Sequence, residues 1–293
     1  MIFNSESFWM TWFRRYNFEP LAWAIRRFHT PVDMNALVLE VGAGGNPYPR
    51  ANVLLDAYLD TRERHWAPLT SDRPTVLGFV ENLPFKDHAF DFVIAAHVLE
   101  HSADPTQFIS ELQRVAKAGY IEVPDAFMER INPYMDHRLE ITCRNNKLMI
   151  RKKKSWQHNP EVVELYEDRV KRILTTELIP RHPFEFHVRY YWQNEISYVV
   201  VNPEVHADWS APVVNRSLPK ISMGGRFRQI ARDFLRNLLS QRKRNASLDL
   251  LSLLRCTNCH STDISRETNS LHCVKCGTSF AIRHNVVVMN ESH

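Results

Sequence analysis

Four of the five cysteines lie in two close pairs near the end of the chain. Cys256 and Cys259 form one pair, and Cys273 and Cys276 form the other. Each pair places two thiolates on one side of a tight turn, and together they complete a tetrahedral site of four sulfur ligands. Because four thiolates leave no coordination position open, we predict a structural zinc ion that supplies folding energy to a small ribbon.

A glycine loop follows the first predicted strand, Ala36–Val41. The loop contains, in order, Gly42, Ala43, Gly44 and Gly45. Glycines at this place let a ligand approach the backbone closely, because no Cβ stands in the way. The next apolar run ends in Asp56, whose carboxylate can accept hydrogen bonds from the hydroxyls of a ribose. The two features together predict an adenosine-type ligand at the carboxyl edge of a sheet.

The ligand is predicted to be S-adenosylmethionine rather than a dinucleotide. A dinucleotide needs a further glycine and a helix N-terminus directed at its pyrophosphate. Pro47 stands where that glycine belongs, and Pro49 follows, so a regular helix barely fits between the two strands. S-adenosylmethionine has no phosphate and does not need the helix dipole. A glycine turn without a ligand is the alternative for this segment alone.

Five motifs in order resemble the class I methyltransferases of the type 11 group. They are Glu40–Gly45, Asp56, Glu81–Phe85, Phe90–Ile94 and His97–His101. The resemblance covers roughly residues 36–124 and implies a Rossmann-like sheet that binds S-adenosylmethionine. It implies that Asp56 holds the ribose and that His97 faces the sulfonium. The other implied cofactor residues are Glu40, Gly42, Ala43 and Gly44 at the methionine and Val80, Glu81, Asn82 and Leu83 at the adenine.

Phe79 departs from the pattern of that group, which usually has an acid there to accept from the adenine amino group. Backbone atoms near Val80 or Glu81 are expected to substitute for it.

Three histidines are the candidates for a catalytic base, since oxygen nucleophiles usually need one and histidine is the commonest. They are His97, His101 and His137, with Asp125, Asp136 and Glu140 as candidate orienting carboxylates. A surface or helix-capping role is the alternative for each histidine. The acceptor atom stays open among oxygen, nitrogen and carbon.

Short apolar runs that alternate with helical or loop stretches predict an α/β fold with a mostly parallel sheet. The predicted strands are Ala36–Val41, Val53–Asp56, Val76–Val80, Phe90–Ala95 and Tyr120–Val123. A helix is predicted over Asp104–Gly119, capped by Asp104 and ended by Gly119 in the left-handed conformation. Residues 125–183 are predicted to be an irregular insertion. The runs His187–Trp192 and Ile196–Val201 predict an antiparallel hairpin that closes the sheet.

Four regions are predicted along the chain. Residues 1–32 form an aromatic, basic segment of one or two short helices, and residues 33–203 form the methyltransferase domain. Residues 204–252 hold a linker and an amphipathic helix at about 225–242, and residues 253–293 form the zinc ribbon. For that helix, core packing or subunit contact, a peripheral membrane contact and RNA backbone contact stay open.

The ribbon resembles the zinc-ribbon activator subunit of certain tRNA and translation-factor methyltransferases, and also ribbons fused to bacterial methyltransferases of unknown target. This resemblance implies a docking module. The net charge of +4 over 293 residues does not by itself indicate a nucleic-acid partner. The start of the chain lacks the order of a secretory signal, and no apolar run reaches the length of a membrane span, so a cytoplasmic protein is expected.

The predicted function is methyl transfer from S-adenosylmethionine to a small molecule or glycan, for example in surface-polysaccharide biosynthesis. A methyltransferase of RNA or of a translation protein, with the ribbon as guide, is one alternative. A non-catalytic scaffold that binds S-adenosylmethionine is the other. The oligomeric state stays open.

Overall fold

A computed structural model describes residues 6–59, 61, 68–131, 133–156, 161, 165–210, 230 and 233–290. The chain forms two compact units. The first unit comprises Met1–Pro31, Ala95–Ile109 and Tyr120–Val214. The second comprises Val32–Ile94, Ser110–Gly119 and Asn215–His293.

The structure is mixed α/β with a large, mostly parallel sheet, as predicted. The strands are β1 (Val38–Val41), β2 (Val53–Asp56), β3 (Thr75–Leu77), β4 (Phe92–Ala96), β5 (Ala118–Pro124), β6 (Leu139–Arg144), β7 (Lys147–Lys152), β8 (His187–Gln193), β9 (Tyr198–Val200), β10 (Ile264–Arg266), β11 (Ser270–Cys273), β12 (Ser279–Arg283) and β13 (Val286–Val288). The first five match the predicted apolar runs to within three residues at each end.

The helices are α1 (Phe8–Arg15), α2 (Glu19–Ile25), α3 (Pro105–Val115), α4 (Ala126–Ile131) and α5 (Arg242–Ala246). Short 3₁₀ turns lie at Arg26–Phe28, Val80–Asn82, Leu99–His101, Pro183–Glu185 and Leu251–Leu253. A further helical segment alternates π and α turns through Tyr166–Val170, Lys171–Ile173, Leu174–Leu178 and Ile179–Arg181. No helix among the described residues has the length and apolar character that a membrane crossing requires.

In the second unit the strands follow the order β10-β11-β12-β13-β3-β2-β1-β4. β1, β2 and β3 are parallel neighbours, so their carboxyl ends lie at the same edge. β13 also pairs parallel to β3, with Val287 opposite Val76. Val286 and Val288 pack with Leu77 in one buried cluster. The strands of the predicted ribbon therefore extend the sheet that contains β1, the strand before the glycine loop. The sequence alone predicts that the ribbon forms a separate module.

The predicted hairpin of residues 187–201 is wrong, because its two strands enter different sheets of the first unit. β8 lies next to β5, whereas β9 pairs parallel to β7 in the three-stranded sheet β6-β7-β9. The Asn194 turn only leads the chain from one sheet to the other. β9 pairs with the edge of β7 that β6 does not occupy, next to the buried side chains of Leu148 and Ile150.

The prediction of an irregular insertion at residues 125–183 is also wrong. β6 and β7 form a regular antiparallel hairpin, in which Ile141 lies opposite Ile150 and both are buried. Asn145 and Asn146 have φ values of 50° and 55°. Two successive residues with positive φ form the tight turn that suits a two-residue hairpin, and asparagine tolerates this conformation.

α3 begins as the sequence predicts and ends earlier. The Asp104 carboxylate accepts hydrogen bonds from the Thr106 and Gln107 N–H groups at 3.1 and 3.0 Å, which caps the helix. Gly119 does not end the helix in the left-handed conformation, since it belongs to β5 and is not among the glycines with positive φ. The chain passes from α3 into β5 within three residues and needs no glycine cap.

The aromatic start of the chain forms α1 and α2, as predicted. Of the predicted helix at 225–242, residues 225–229 and 231–232 lie outside the described residues. Residues 233–239 are helical, the helix stops at Ser240, and α5 follows. Ile230, Phe234 and Leu238 are each about two-thirds exposed, at 67%, 66% and 67%. Core packing is therefore wrong for these three side chains, whereas the other interpretations of this helix stay open.

Candidate functional site

The glycine loop and Asp56 meet at the carboxyl ends of β1 and β2. Gly42 and Gly44 have φ values of 65° and 57°, a left-handed conformation that glycine adopts without strain. The Gly44 N–H donates to Asp56 Oδ2 at 2.9 Å, and the Tyr58 N–H donates to Oδ1 at 3.2 Å. Each carboxylate oxygen has a second lone pair, so Asp56 can still accept from the two hydroxyls of a ribose. The arrangement fits an adenosine ligand.

Glu40 closes the other side of the loop. Its side chain is buried, and Oε2 accepts a hydrogen bond from the Tyr48 N–H at 2.7 Å. This bond fixes the segment of Asn46–Tyr48, which replaces the helix that a dinucleotide site would have. Because a helix N-terminus is missing at this place, the loop offers no dipole to a pyrophosphate.

Two exposed aromatic rings border the carboxyl edge of β2 and β3. Tyr58 and Phe79 are 47% and 40% exposed, and their ring centroids are 5.8 Å apart in an edge-to-face arrangement. Phe79 occupies the position where the resembling group has an acid. Tyr58 was not among the site residues predicted from the sequence. Its position two residues after Asp56 could have indicated that its ring lies at this edge.

The predicted adenine segment is tied to the ribbon. Asn82 Nδ2 donates to the Thr257 carbonyl at 2.9 Å. Leu83 is fully buried, and its N–H donates to Glu111 Oε2 at 2.6 Å. Val80 is buried as well, whereas Glu81 is half-buried. The roles of these four residues at the cofactor stay predictions.

The four cysteines converge as the spacing predicts. Their sulfur atoms lie within 4.8 Å of one another. Cys256 Sγ is 3.7 Å from Cys276 Sγ, and Cys259 Sγ is 3.5 Å from Cys273 Sγ. A tetrahedral zinc ion with bonds of about 2.3 Å separates its sulfur ligands by about 3.8 Å, so the cluster fits zinc. Gly277, with a φ of 77°, turns the chain at the second pair.

His97 lies in the first unit at the end of β4, with a φ of 59°. Its Nδ1 is 3.5 Å from Glu100 Oε1, and its Nε2 is 3.3 Å from Glu122 Oε1. Burial of the imidazole lowers its pKa, but the contacts with the carboxylates of Glu100 and Glu122 outweigh burial and raise the pKa to about 9. A histidine with this pKa is a cation at neutral pH, which is a poor state for a base.

Glu122 is paired with Arg26 from the start of the chain. Arg26 donates to both carboxylate oxygens, from Nη2 at 2.6 Å and from Nε at 2.7 Å, and the Tyr120 hydroxyl also donates to Oε2. Burial raises the pKa of Glu122, but the hydrogen bonds from Arg26 and His97 outweigh it and hold the pKa well below 4.5. Arg26 was not among the site residues predicted from the sequence.

His187 is a second residue that sequence reasoning missed. Its Nδ1 donates to the Pro183 carbonyl at 2.8 Å, which leaves Nε2 as the acceptor of the neutral ring. Its ring centroid is 5.5 Å from that of His97. Burial lowers the pKa of His187, and the nearby His97 cation lowers it further. His187 is therefore neutral at pH 7 and suited to accept a proton.

His101 and His137 lie together in the first unit. Their ring centroids are 4.7 Å apart, and a carboxylate oxygen of Glu100 completes a group whose ligand atoms lie within 4.8 Å of one another. His137 Nδ1 is 2.5 Å from Glu129 Oε1. Burial lowers the pKa of His137, but its hydrogen bond to Glu129 and the nearby carboxylates raise it overall.

The three predicted orienting carboxylates have other partners. Asp125 accepts from the Thr142 hydroxyl at 2.7 Å, and Glu140 accepts from Arg130 at 3.1 Å. Asp136 contributes its backbone carbonyl, 3.2 Å from His101 Nδ1. Within the described residues, no side-chain hydrogen bond joins these carboxylates to a histidine; the carboxylates that contact His97 and His137 are Glu100, Glu122 and Glu129.

A cavity of about 360 Å³ opens in the first unit. Its charged lining residues are Arg130, Arg151, Lys152, Lys153 and Lys154 against Glu129 and Glu140. Lys153 pairs with Glu129 at 3.0 Å, and Arg130 pairs with Glu140. Five cations against two carboxylates give the cavity a positive field that suits an anionic ligand.

Comparison with known proteins supports the resemblance to methyltransferases. Residues 51–121 match the family described as "Methyltransferase domain", which confirms the resemblance over this segment. Residues 51–121 therefore resemble a methyltransferase domain, and the four-cysteine cluster is compatible with a zinc ribbon. No curated protein matches the chain.

Three solved structures illustrate the similarity. A protein of Anabaena variabilis assigned to the methyltransferases has 20% identity and a TM-score of 0.29, over 33% of this chain and 42% of that one. A S-adenosylmethionine-dependent methyltransferase of Thermotoga maritima has 20% identity and a TM-score of 0.29, over 42% of this chain and 60% of that one. A complex of a methyltransferase activator with a methyltransferase from Haloferax volcanii has 14% identity and a TM-score of 0.37, over 64% and 93%.

The chain thus covers less than two thirds of the length of the Anabaena and Thermotoga proteins. At these TM-scores the likenesses carry no argument about what this chain acts on.

Proposed function

We propose that the protein transfers a methyl group from S-adenosylmethionine to a small-molecule or glycan acceptor. The observation that carries the proposal is the hydrogen bond from Gly44 to Asp56, which joins a glycine loop to the acid that ends the next strand. This pair has the chemistry of a nucleoside site, and the lack of a helix dipole disfavours a pyrophosphate.

Each part of the cofactor has a partner of suitable chemistry in the second unit. Asp56 accepts from the ribose hydroxyls, and the backbone at Gly42 and Gly44 borders the methionine part. Tyr58 and Phe79 would contact the adenine with their apolar rings. Dispersion and burial would then take the place of the hydrogen bond that the resembling group makes with an acid at the position of Phe79. The cofactor supplies an electrophilic methyl group on its sulfonium.

The acceptor is assigned to the anionic members of the small-molecule and glycan class. A cavity of about 360 Å³ is in the range of pockets for small ligands, and its excess of cations favours a carboxylate, sulfate or phosphate group. Within the described residues no carboxylate partner is recorded for Lys154, which leaves this ammonium available to such a group.

RNA as the acceptor is less well supported. The Arg244 guanidinium donates to the carbonyls of Met34, Asn35 and Ala36 at 2.9, 2.6 and 3.0 Å, so it is used within the second unit. A basic surface for RNA would need this side chain free to contact phosphates. A translation protein as acceptor, guided by the ribbon, is the second alternative, and a scaffold that only binds the cofactor is the third.

His187 is proposed as the proton acceptor when the acceptor group is a hydroxyl. Its neutral ring and free Nε2 suit that role, whereas the cationic His97 suits the binding of a negative group. His97 acts on His187 through its charge, which helps to keep the neighbouring ring neutral.

Calorimetric titration of S-adenosylmethionine and S-adenosylhomocysteine into the purified protein tests the proposal. Micromolar binding is expected, and Asp56→Ala is expected to weaken it by at least about tenfold, since two hydrogen bonds to a charged group are lost. Asp208→Ala, an exposed aspartate of the first unit, is the matched control and should bind as the unchanged protein does. Absence of binding by folded, zinc-loaded protein would exclude the proposed activity.

A second experiment tests the acceptor class. S-adenosylmethionine with a labelled methyl group is incubated with acidic glycans, neutral glycans, small carboxylates and RNA. Label on an acidic glycan or carboxylate, reduced in Lys154→Ala, is the expected result. Label on RNA or on a translation protein would replace the acceptor proposed here, and cofactor binding without transfer to any class would favour the scaffold.

A further inference from the structure

We propose that Glu100, His101 and His137 bind a divalent transition-metal ion, separate from the zinc ion of the four cysteines. One carboxylate oxygen and one ring nitrogen from each histidine lie within 4.8 Å of one another. Two imidazoles and one carboxylate are a donor set that zinc and ferrous ions accept with coordination positions left open.

The carboxylate of Glu100 lacks the partners that its burial requires. Glu100 is 2% exposed, and within the described residues neither of its side-chain oxygens has a hydrogen-bond partner. His97 Nδ1 lies 3.5 Å from Oε1, which is close enough for an ion pair but too far for a good hydrogen bond. A buried carboxylate without a hydrogen bond is unfavourable, so a metal ion at this place would supply the direct partner that the more distant His97 does not.

The two histidines are held as metal-binding histidines are. His137 Nδ1 contacts Glu129 Oε1 at 2.5 Å, and His101 Nδ1 contacts the Asp136 carbonyl at 3.2 Å. When Nδ1 of each ring donates to these oxygens, Nε2 keeps its lone pair and becomes the ligand atom. A carboxylate or carbonyl behind each imidazole is the usual support of a metal ligand.

The surrounding side chains keep this geometry in place. Lys153 Nζ lies 3.0 Å from Glu129 Oε2 and fixes the position of this carboxylate behind His137. Tyr134 stacks on the His137 ring with centroids 4.6 Å apart. His101 and Glu100 share one 3₁₀ turn, so their side chains are fixed by the same short backbone segment.

The site needs a small closing movement when the ion binds. A tetrahedral ion with bonds of about 2.1 Å separates its ligand atoms by about 3.4 Å, so separations of up to 4.8 Å must contract by up to about 1.4 Å. Glu129 also lines the cavity of the first unit, which connects the proposed metal site to the proposed acceptor site.

The role of the ion rests on the proposed function, whereas its binding does not. An ion with an open position lowers the pKa of a hydroxyl that coordinates it, which would prepare an oxygen acceptor for methylation. Metal binding is therefore tested without cofactor or acceptor, so that its failure and the failure of the methyltransferase proposal are distinguished.

The first test is a metal count on the full-length protein after equilibration with excess Zn²⁺ and removal of free ions. About two zinc ions per chain are expected, one at the thiolates and one at the new site. His101→Ala and His137→Ala should each retain about one, because the thiolate site is intact. His206→Ala, which removes an exposed histidine of the same unit, should retain about two. A count of about one in the unchanged protein would overturn the proposal.

The second test needs no variant and identifies the ligands. Co²⁺ is added to protein whose thiolate site is already filled with zinc. Weak visible absorption without a thiolate-to-cobalt band is expected, because the ligands are nitrogen and oxygen. A strong thiolate band would show that Co²⁺ only displaces zinc from the cysteines, and an unchanged spectrum would show that the histidines bind no ion; either would refute the site.

Discussion

The Arg255 guanidinium lies 3.2 Å from the Glu111 carboxylate, which also accepts the Leu83 N–H. Arg255 comes directly before Cys256, the first residue of the four-cysteine cluster, and Leu83 ends the segment that is predicted to border the adenine. One carboxylate of α3 therefore joins the ribbon to that segment. Because β13 pairs with β3 in the same unit, the ribbon supports the cofactor edge mechanically in addition to any docking role.

Arg255→Ala is expected to destabilise the protein by about 1–3 kcal/mol and to weaken binding of S-adenosylmethionine. Glu111 loses one of its buried partners and keeps Arg114, which lies 2.7 Å away, so the loss is less than for an unpaired buried charge. Urea unfolding and calorimetry measure the two effects. Arg266→Ala, at an exposed arginine of β10, is the control. Equal effects of the two variants would show that the contact with Glu111 is unimportant.

Removal of the ribbon zinc is expected to weaken cofactor binding through the same connection. Without the ion, no metal bridges the two turns that carry the cysteine pairs. We therefore expect β10–β13 to lose order, which removes β13 as one of the two neighbours of β3. A strong chelator, followed by calorimetry with S-adenosylhomocysteine, measures the effect, and zinc should restore the affinity. Unchanged affinity after complete loss of zinc would mean that the sheet edge does not depend on the ribbon.

Gly44→Ala is expected to cost about 1–2 kcal/mol of stability, because an alanine is strained at a φ of 57°. Cofactor affinity should fall as well, since the Gly44 N–H must keep its direction toward Asp56. Gly45→Ala is a matched control: Gly45 is the exposed next residue and does not have a positive φ. If both variants behave alike, the left-handed conformation of Gly44 is not what the loop requires.

The sequence predicts those parts of the fold that depend on local patterns. β2 has the predicted bounds, since a run of buried apolar residues ends at one acid. The Asp104 cap was predictable because its donors are two and three residues away. The cysteine cluster was predictable because each pair lies within a single turn.

What the sequence does not reveal depends on distant partners. Arg26 and Glu122 are 96 residues apart, and nothing in either local pattern indicates that they pair. β9 pairs with β7 of the β6–β7 hairpin. The prediction paired β9 with β8 because these two strands are neighbours in the sequence. The Asn145–Asn146 turn was a local signal that was overlooked, because the polar composition around it resembled a loop. The roles of His97, His101 and His137 stay predictions. The three histidines differ in their hydrogen-bonding and charged neighbours, which the sequence did not indicate.

His187 is expected to titrate below 6.5, the ordinary histidine pKa, because burial and the neighbouring His97 cation both disfavour its charged form. Imidazole NMR signals followed from pH 4 to 9 measure this, with His187→Gln to assign the signal. The signal of His206, an exposed histidine of the same unit, serves as the internal reference. A His187 signal that titrates above 6.5 would remove it as the proposed base.

Arg26→Met is expected to destabilise the protein by about 3–5 kcal/mol at pH 7, since it leaves Glu122 fully buried without its main partner. Pairing holds the pKa of Glu122 well below 4.5, so the pair contributes stability above that pH and loses its contribution as pH falls through the lowered pKa. The difference between the two proteins should therefore be largest near pH 7 and shrink as the pH falls below 4.5. Urea unfolding at pH 7, 5 and 3.5 measures the trend, with Arg15→Met at an exposed arginine as control. A difference that does not change with pH would show that Arg26 stabilises the protein by packing against Trp23 rather than by its charge.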